Sequence, residues 1–415
     1  MTPAGTDTAA TNHVAEVFRR ESGRAVAVLV RALGSIDDAE EAVQDAFVRA
    51  LETWPRDGIP PSPAGWIITT AKNRAIDVAR KEGKRRERHE GSFHLFGTPA
   101  EHDASDRVVA SVDEAIEDDQ LRLMFTCCHP ALALEVRVAL TLRLIAGLET
   151  SQIARAFLVP EPTMAQRLTR AKRKITEAKI PYRVPAREEL PARLDAVLAV
   201  LYLVFNQGYG ESTADVPPLA REAIRLTRSL TELLPGTSEP RGLLALMVLT
   251  ESRRAARFDA HGRVVLLEDQ DRSRWDAGLI ATGIELVRDC RPIDNPGIYQ
   301  VQAMIAAVHA MAPSLTDTDW AAVVALYDAL FSLNPTAIVA LNRAIAVGEV
   351  DGPERALALI GGLPLERYHL WHATRANLLD RLGHGREARA AYATAASLAP
   401  SDSEREFLEA KAERP

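Results

Sequence analysis

The chain has 415 residues and a formal net charge of −7, and 47% of its residues are hydrophobic but only 5% are aromatic. This length predicts roughly two to four domains. Alternation of apolar and polar residues at spacing two is hard to find, which predicts an all-α fold. The acidic average excludes a nucleic-acid partner unless positive charge is concentrated locally.

Cysteine content and hydropathy predict the cellular compartment. Three cysteines, Cys127, Cys128 and Cys290, are too few and too irregularly spaced for a disulfide framework, which favours a reducing cytosol. The first residues lack the pattern of a signal peptide, and apolar runs such as 195–205 are much shorter than the ~20 residues of a membrane span. We therefore expect a soluble cytoplasmic protein with no membrane partner.

The first predicted helical block covers about residues 12–84. Ser35 is a candidate N-cap for its second helix, because carboxylates follow in the first turn, and Pro55 is expected to end that helix. A proline-rich turn at 59–63 leads into a third helix. That helix has one apolar stripe and an opposite face rich in lysine and arginine, which concentrates positive charge locally.

The next segment, from about residue 90 to 113, has no helical period and predicts a linker. Helices resume at Glu114. Segment 150–175 then has the dimensions of a helix-turn-helix, with a helix of about eight to ten residues, a break at Val159–Pro160 and a second, basic helix. Ile153 and Ala154 are expected to pack inward.

The second helix of this pair is a candidate DNA-reading element. Its first residues are expected to reach base edges: Glu161, Pro162, Thr163, Met164 and Gln166. Its later basic residues are expected to meet phosphates: Arg167, Arg170, Lys172, Arg173 and Lys174. A helical hairpin with a solvated basic face is an equally good interpretation of this motif alone.

Two basic helices on one tether fit recognition of two spaced DNA sites, because linkage makes the second binding event local. The acidic helix at 38–51, the basic helix at 63–81 and the helix-turn-helix together closely resemble the extracytoplasmic-function sigma factors. The resemblance covers roughly residues 12–180. It implies an all-α subunit that joins core RNA polymerase and directs it to promoter DNA.

The resemblance also implies roles for individual residues. Region two would dock on the polymerase clamp through one set of side chains: Asp38, Glu41, Gln44, Asp45, Phe47 and Arg49. Its basic helix would recognise and open the minus-ten element through a second set: Asn73, Arg74, Asp77, Arg80 and Lys81. Region four would read the minus-thirty-five element through a third set: Gln166, Arg167, Arg170, Lys172 and Arg173.

The chain continues beyond the length of ordinary members of that family. We predict region two at 12–95, a linker at 96–114, region four at 115–182, a helical extension at 186–290 and tetratricopeptide-like repeats at 291–415. The segment CCHPAL at 127–132, the segment YLVFNQGY at 202–209 and the tetratricopeptide-like end together resemble the subgroup with a long C-terminal extension. The resemblance implies that the extension regulates activity, possible ligands being a protein or a small molecule.

Two clusters invite other interpretations. The adjacent Cys127 and Cys128 lack the spacing of zinc ligands, so buried thiols are favoured over a metal or redox site. The cluster of Tyr202, Phe205, Asn206, Gln207, Tyr209 and Glu211 is interpreted as a helix end with a turn at Gly208 and Gly210 in preference to a ligand pocket. We find no phosphate loop, metal-ligand set or activated nucleophile, and predict no enzyme and no cofactor.

Two other functions remain open. A free-standing helix-turn-helix regulator would bind DNA without polymerase, and the acidic helix around Asp45 argues against it. A helical scaffold would bind a protein through its repeats and have no affinity for DNA.

Overall fold

The computed structural model describes residues 5–86, 119–157, 159–186, 188–209, 218–259, 262–290, 296–399 and 402–413. Within these ranges the side chains of 5–16, 19–20, 77–86, 156, 218 and 402–403 lie outside the description. All regular elements of the described residues are helices, and one isolated antiparallel bridge joins Phe258 to Val264. The all-α prediction is confirmed. The chain divides into two compact units, Met1–Val204 and Phe205–Pro415.

The first unit begins with three mutually packed helices, α1 (Gly5–Leu33), α2 (Ile36–Asp57) and α3 (Pro63–Arg86). The predicted cap is confirmed, because the Ser35 hydroxyl accepts from the backbone N–H of Asp38 at 3.3 Å.

The predicted end of α2 is wrong, since the helix continues through Pro55 to Asp57. Only one turn is affected by the missing N–H of the proline, so the cost is small. Gly58, at φ +82°, ends the helix instead, and its N–H donates to the carbonyl of Trp54.

The rest of the first unit consists of short helices that lead to a longer one. They are α4 (residues 119–127), α5 (Leu134–Leu140), a π-helical turn (Thr141–Ile145), α6 (Thr150–Ala156) and α7 (Glu161–Glu177). The break between α6 and α7 ends at Pro160, as the sequence predicts.

Helix α8 (Leu190–Tyr209) is long and apolar enough to span a membrane by length and composition alone. The expectation that no segment reaches that limit is therefore corrected, because the helix extends well beyond the apolar run at 195–205 on both sides. A core helix of a soluble protein passes the same test. Leu194, Val197, Leu198 and Leu201 are buried, as such a core helix requires.

The second unit continues with helices, and those after residue 311 pack mainly on their neighbours in sequence. They are α9 (Pro218–Leu233), α10 (Ser238–Glu251), α11 (Arg254–Arg257), α12 (Ala277–Asp289), α13 (Ile298–Met311), α14 (Trp320–Leu333), α15 (Ala337–Val350), α16 (Pro353–Ile360), α17 (His369–Arg381), α18 (Gly385–Leu398) and α19 (Asp402–Ala412). Stacked neighbours are compatible with a repeat array. The tetratricopeptide assignment and the domain boundaries stay predictions.

Gly208 does not lie in a turn, which corrects the sequence interpretation. It is inside α8, and a Cβ atom there would lie 2.5 Å from the backbone nitrogen of Ala220 in α9. Glycine therefore permits a close approach of the two backbones. Gly210 and Glu211, the other members of that cluster, lie outside the described residues.

Candidate nucleic-acid and protein interface

One exposed side of α2 carries the residues predicted to bind polymerase. The helical spacing of Asp38, Glu41 and Asp45 places them on one face, and Gln44 and Arg49 are exposed beside it. Asp38 also lies in the first turn, where the helix dipole favours a carboxylate. This face is accessible to a protein partner.

Phe47 does not belong to this face, which corrects its prediction as a polymerase contact. The side chain is only 5% exposed, and its ring meets that of Phe18 edge to face with centroids 4.6 Å apart. Such a ring stabilises the packing of α1 on α2. It cannot reach a partner without unfolding that contact.

An ion pair connects the two predicted sites of the first three helices. The Nε atom of Arg74 on α3 lies 2.7 Å from a carboxylate oxygen of Asp45 on α2. Both side chains are about half exposed, so solvent screens the pair and limits its contribution to less than about 1 kcal/mol. Asp45 thus orients a residue of the basic helix as well as facing solvent.

The basic helix α3 presents Lys72, Asn73 and Arg74 to solvent. Its buried stripe contains Ile67 and Ala71. The side chains of the remaining predicted minus-ten contacts lie outside the described residues, although the helix itself continues to Arg86: Asp77, Arg80 and Lys81.

The helix-turn-helix has the predicted inner face. Ile153 and Ala154 are buried, and the backbone N–H of Glu149 donates to the Gln152 side chain at 2.9 Å at the start of α6. Met164 is fully buried, so its predicted contact with bases is corrected. Met164 is the first member of the buried stripe of α7, which its spacing from Leu168 explains.

The outer face of α7 is available for DNA. The exposed residues are Glu161, Pro162, Thr163, Gln166, Arg167, Arg170, Arg173 and Lys174. Four exposed cations on one helix are suited to phosphate contacts, and the exposed Gln166 in the first turns is suited to a base edge.

Lys172 differs from these residues because it is only partly exposed and is already paired. Its Nζ atom lies 3.1 Å from Glu40 and also pairs with Asp37, both on α2. Burial alone would lower the pKa of Lys172, but its hydrogen bonds to Asp37 and Glu40 raise it above the usual value. The charged form is therefore held against the start of α2.

Arg143 on the π-helical turn makes a second contact with α2. Its Nε donates to Glu40 at 2.8 Å, and its Nη1 donates to the carbonyl of Leu148 at 3.0 Å. Arg143 and Glu40 are each less than one-fifth exposed. Glu40 therefore pairs with both Arg143 and Lys172, and these ion pairs hold the helix-turn-helix region against α2.

Backbones approach closely at the same interface. A Cβ atom on Gly23 of α1 would overlap the carbonyl oxygen of Ile145, and one on Gly147, at φ +69°, would overlap the Ser22 hydroxyl. The glycines are required here because no side chain fits between the two elements.

Tyr182 closes the other side of the interface. Its hydroxyl lies 2.7 Å from the carbonyl oxygen of Ala27 and 2.9 Å from that of Asp119, and it can donate to one of them at a time. Burial, followed by the charge of Asp119, raises the pKa of Tyr182. Asp119 also pairs with Arg31 of α1 at 3.3 Å.

Cys127 and Cys128 are buried, as the sequence interpretation expected. Burial and the neighbouring thiol raise the pKa of Cys127 well above its usual value, and burial raises that of Cys128 to about 11. Thiols in this state are protonated and unreactive. Among the described residues no group of three or more histidine, cysteine, aspartate or glutamate side chains could hold a metal ion.

Comparison with protein-family models gives three matches along the chain. Sigma-70 region 2 matches residues 17–85, and sigma-70 region 4 matches residues 122–175. A family of unknown function, DUF6596, matches residues 193–291.

Individual relatives agree with these matches. An uncharacterised protein of Rhizobium meliloti is 42% identical over 390 residues, which are 93% of this chain and 92% of the relative. The probable ECF RNA polymerase sigma factor SigI of Mycobacterium tuberculosis is 32% identical, over 45% of this chain and 67% of its own. SigJ of the same species, an ECF RNA polymerase sigma factor, is 27% identical over 42% of this chain and 54% of its own.

Proposed function

Because the chain belongs to the extracytoplasmic-function sigma factors of the sigma-70 family, we propose that it binds core RNA polymerase in the cytoplasm and directs it to specific promoters. The observation that carries this proposal is the presence of both regions in one chain, because two linked DNA-binding modules can bind two spaced promoter elements together. A free-standing regulator would need only the helix-turn-helix.

The polymerase contact is proposed for the exposed side of α2: Asp38, Glu41, Gln44, Asp45 and Arg49. The support is exposure together with negative charge at the start of the helix, which favours a basic partner surface. Phe47 is omitted because it is buried.

The promoter contacts are proposed for α3 and α7. Asn73, Arg74, Asp77, Arg80 and Lys81 would contact the minus-ten element, and Gln166, Arg167, Arg170, Lys172 and Arg173 the minus-thirty-five element. The assignment to α7 is supported by the exposure of Gln166, Arg167, Arg170 and Arg173, whereas Lys172 is only partly exposed. Lys172 must first leave its partners on α2, because its side chain is only 17% exposed while it is paired, and Asp37 and Glu40 would repel a phosphate brought to the same place.

The second unit is proposed to regulate this activity. Its support is that the Rhizobium meliloti relative extends over almost the whole chain, so the additional unit accompanies the sigma regions in both proteins. A truncated chain can test this proposal. A chain that ends at Ile180 would lose Tyr182, which bonds to Ala27 within the first unit. A chain that ends at Val204 keeps Tyr182 and removes only the second unit.

Run-off transcription with purified core polymerase tests the proposal. The template carries the promoters of this gene and of its neighbours, and the variants are Arg170→Ala on α7 and Glu41→Ala on α2. Glu41 is chosen for this test in preference to Asp45, because Asp45 also pairs with Arg74 and its loss would disturb α3. Specific initiation that weakens in both variants is expected. DNA binding without polymerase association would contradict the sigma assignment and favour a free-standing regulator.

The Val204 truncation tests regulation separately. If the second unit regulates, initiation by the truncated chain should differ from that of the full chain by severalfold in either direction. Equal initiation by the two chains would contradict regulation while leaving the sigma assignment intact.

A further inference from the structure

The second unit contains a group of cationic side chains that the proposed function does not use. The guanidinium carbons of Arg253 and Arg272 lie 5.9 and 4.7 Å from the ring centroid of Trp275. Each cation is attracted to the indole ring. The two like charges nevertheless repel each other, and an indole offers no acceptor for their N–H groups.

Three polar atoms of this group are buried without a hydrogen-bond partner among the described residues: Nη2 of Arg272, Nε1 of Trp275 and Nδ1 of His309. Trp275 is only 6% exposed. Each unpartnered donor in such a place costs about 1 to 3 kcal/mol. Nη2 of Arg272 and Nε1 of Trp275 are therefore donors that lack an acceptor, whereas Nδ1 of the neutral His309 ring can donate or accept.

Arg272 is held in position by its other nitrogen. Nη1 donates to the carbonyl oxygens of His309 and Ala312 at 2.8 and 2.5 Å. These bonds join the turn that carries Trp275 to the end of α13 and leave Nη2 directed elsewhere. The unpartnered donor therefore belongs to a fixed guanidinium group, so its orientation is set before any ligand binds.

Carboxylates do not balance these cations as they do elsewhere in the same segment. Arg254 pairs with Glu251, and Arg263 pairs with Asp259. Within the described residues, neither Arg253 nor Arg272 has a carboxylate partner at ion-pair distance. Burial and then Arg253 lower the pKa of Arg272, and the charge of Asp317 offsets this only in part.

From this geometry we propose that Arg253, Arg272, Trp275 and His309 form a binding site for a small oxyanion, a carboxylate or phosphate group. Two guanidinium groups supply the charge, and the free N–H groups of Arg272 and Trp275 supply directional donors. An oxyanion accepts several such bonds at once and separates the two like charges. Arg253 is partly exposed and provides the side from which solvent reaches the group.

Titration of the full-length chain with inorganic phosphate and, separately, with acetate tests this site without polymerase or DNA. Intrinsic tryptophan fluorescence and the thermal unfolding midpoint are followed at constant ionic strength, with chloride as the balancing ion. At least one probe should bind saturably and raise the midpoint by mass action. Acetate alone indicates a carboxylate site, phosphate alone a phosphate site, and both a site for either oxyanion.

Arg253→Gln is the test variant, because it leaves the bonds from Arg272 to α13 in place. Its dissociation constant should rise about tenfold or more, which is at least about 1.4 kcal/mol. Arg274→Gln removes an exposed arginine from the same turn and should bind as the wild type does. Absence of saturable binding of both probes to the wild type, or equal binding by Arg253→Gln, would overturn the proposal. Neither result concerns the sigma assignment.

Discussion

The Nε atom of Arg143 donates a 2.8 Å hydrogen bond to the carboxylate of Glu40, which precedes it by 103 residues. The second carboxylate oxygen of Glu40 lies 3.1 Å from Nζ of Lys172 on α7. One side chain of α2, the helix proposed to contact polymerase, therefore holds both the turn before the helix-turn-helix and the helix predicted to read DNA. A contact of Lys172 with a DNA phosphate requires this arrangement to open.

Replacement of Glu40 by glutamine should favour the open arrangement. Glu40→Gln removes the charge shared by Arg143 and Lys172, and the lost charge-assisted bonds should weaken the interface by about 1 to 3 kcal/mol. Fluorescence anisotropy with a duplex from the promoter of this gene should therefore show tighter binding. Glu52→Gln removes the same charge from an exposed position of α2 and serves as the control. Equal changes in the two variants would mean that charge alone, and no interface contact, sets the affinity.

Substitution of Gly23 by alanine tests the same interface through its backbone. The added Cβ atom overlaps the carbonyl oxygen of Ile145, so α1 and the π-helical turn must separate. Hydrogen-exchange mass spectrometry should show faster exchange around residues 141–148. Gly236→Ala is a matched control, because a Cβ atom there meets nothing within 4 Å. Unchanged exchange in Gly23→Ala would contradict the close approach.

Much of the fold follows from the sequence because helical periodicity and caps are local signals. Ser35, the break before Glu161 and the inner positions Ile153 and Ala154 were all predicted this way. Two predicted contacts failed for different reasons. Met164 was assigned to base contacts from its place at the start of α7, and Phe47 to the polymerase from the family resemblance. Both are buried in the apolar stripes of their helices.

The interface around Glu40 could not be predicted in the same way. Glu40 lies in an acidic run whose members look alike, and Arg143 lies in an apolar segment without a motif. Their pairing depends on how distant segments pack, which leaves no periodic signal. The proposed oxyanion site could not be predicted from the sequence for the same reason, since Arg253, Trp275 and His309 come from three separate stretches of the chain.

Two substitutions on α7 separate base recognition from phosphate contact. Gln166→Ala should reduce discrimination at one base of the minus-thirty-five element by about 1 to 3 kcal/mol. Arg170→Ala should instead weaken binding to all sequences and lower the slope of log affinity against log salt by about 1. Anisotropy titrations at several salt concentrations measure both effects. Lys179→Gln, an exposed cation beyond the end of α7, should change neither quantity. A sequence-specific effect of Arg170→Ala would reverse the assigned roles.

The buried thiols of Cys127 and Cys128 should react very slowly with alkylating reagents in the native protein. Because burial raises the pKa of Cys128 to about 11 and that of Cys127 well above the usual value, little thiolate exists at pH 8. Alkylation with iodoacetamide, followed by mass spectrometry, should label both residues slowly in the native chain and rapidly in urea. The variant Ser62→Cys places a thiol at an exposed position and provides the native reference rate. Rapid native labelling of Cys127 or Cys128 would support a redox role instead.

His309 should make α13 sensitive to acid. Burial, together with the charges of Arg253 and Arg272, lowers the pKa of His309 from 6.5 to about 4. Between these values the unfolded chain binds more protons than the folded chain does, so the free energy of unfolding falls as pH falls. The contribution of neutral His309 to the free energy of unfolding is fully present well above pH 6.5, and about 2 kcal/mol of it should be lost by pH 5.

Hydrogen-exchange mass spectrometry of peptides from α13, corrected for the intrinsic exchange rate, measures this loss locally. His309→Gln replaces the imidazole with a side chain that does not titrate, so its protection should change much less between pH 7 and pH 5. A bound oxyanion would oppose the loss, because its negative charge beside Arg253 and Arg272 favours the imidazolium. Phosphate or acetate should therefore reduce the pH dependence in the wild type and leave that of Arg253→Gln almost unchanged. If the wild type and His309→Gln lose protection equally, another group causes the acid sensitivity.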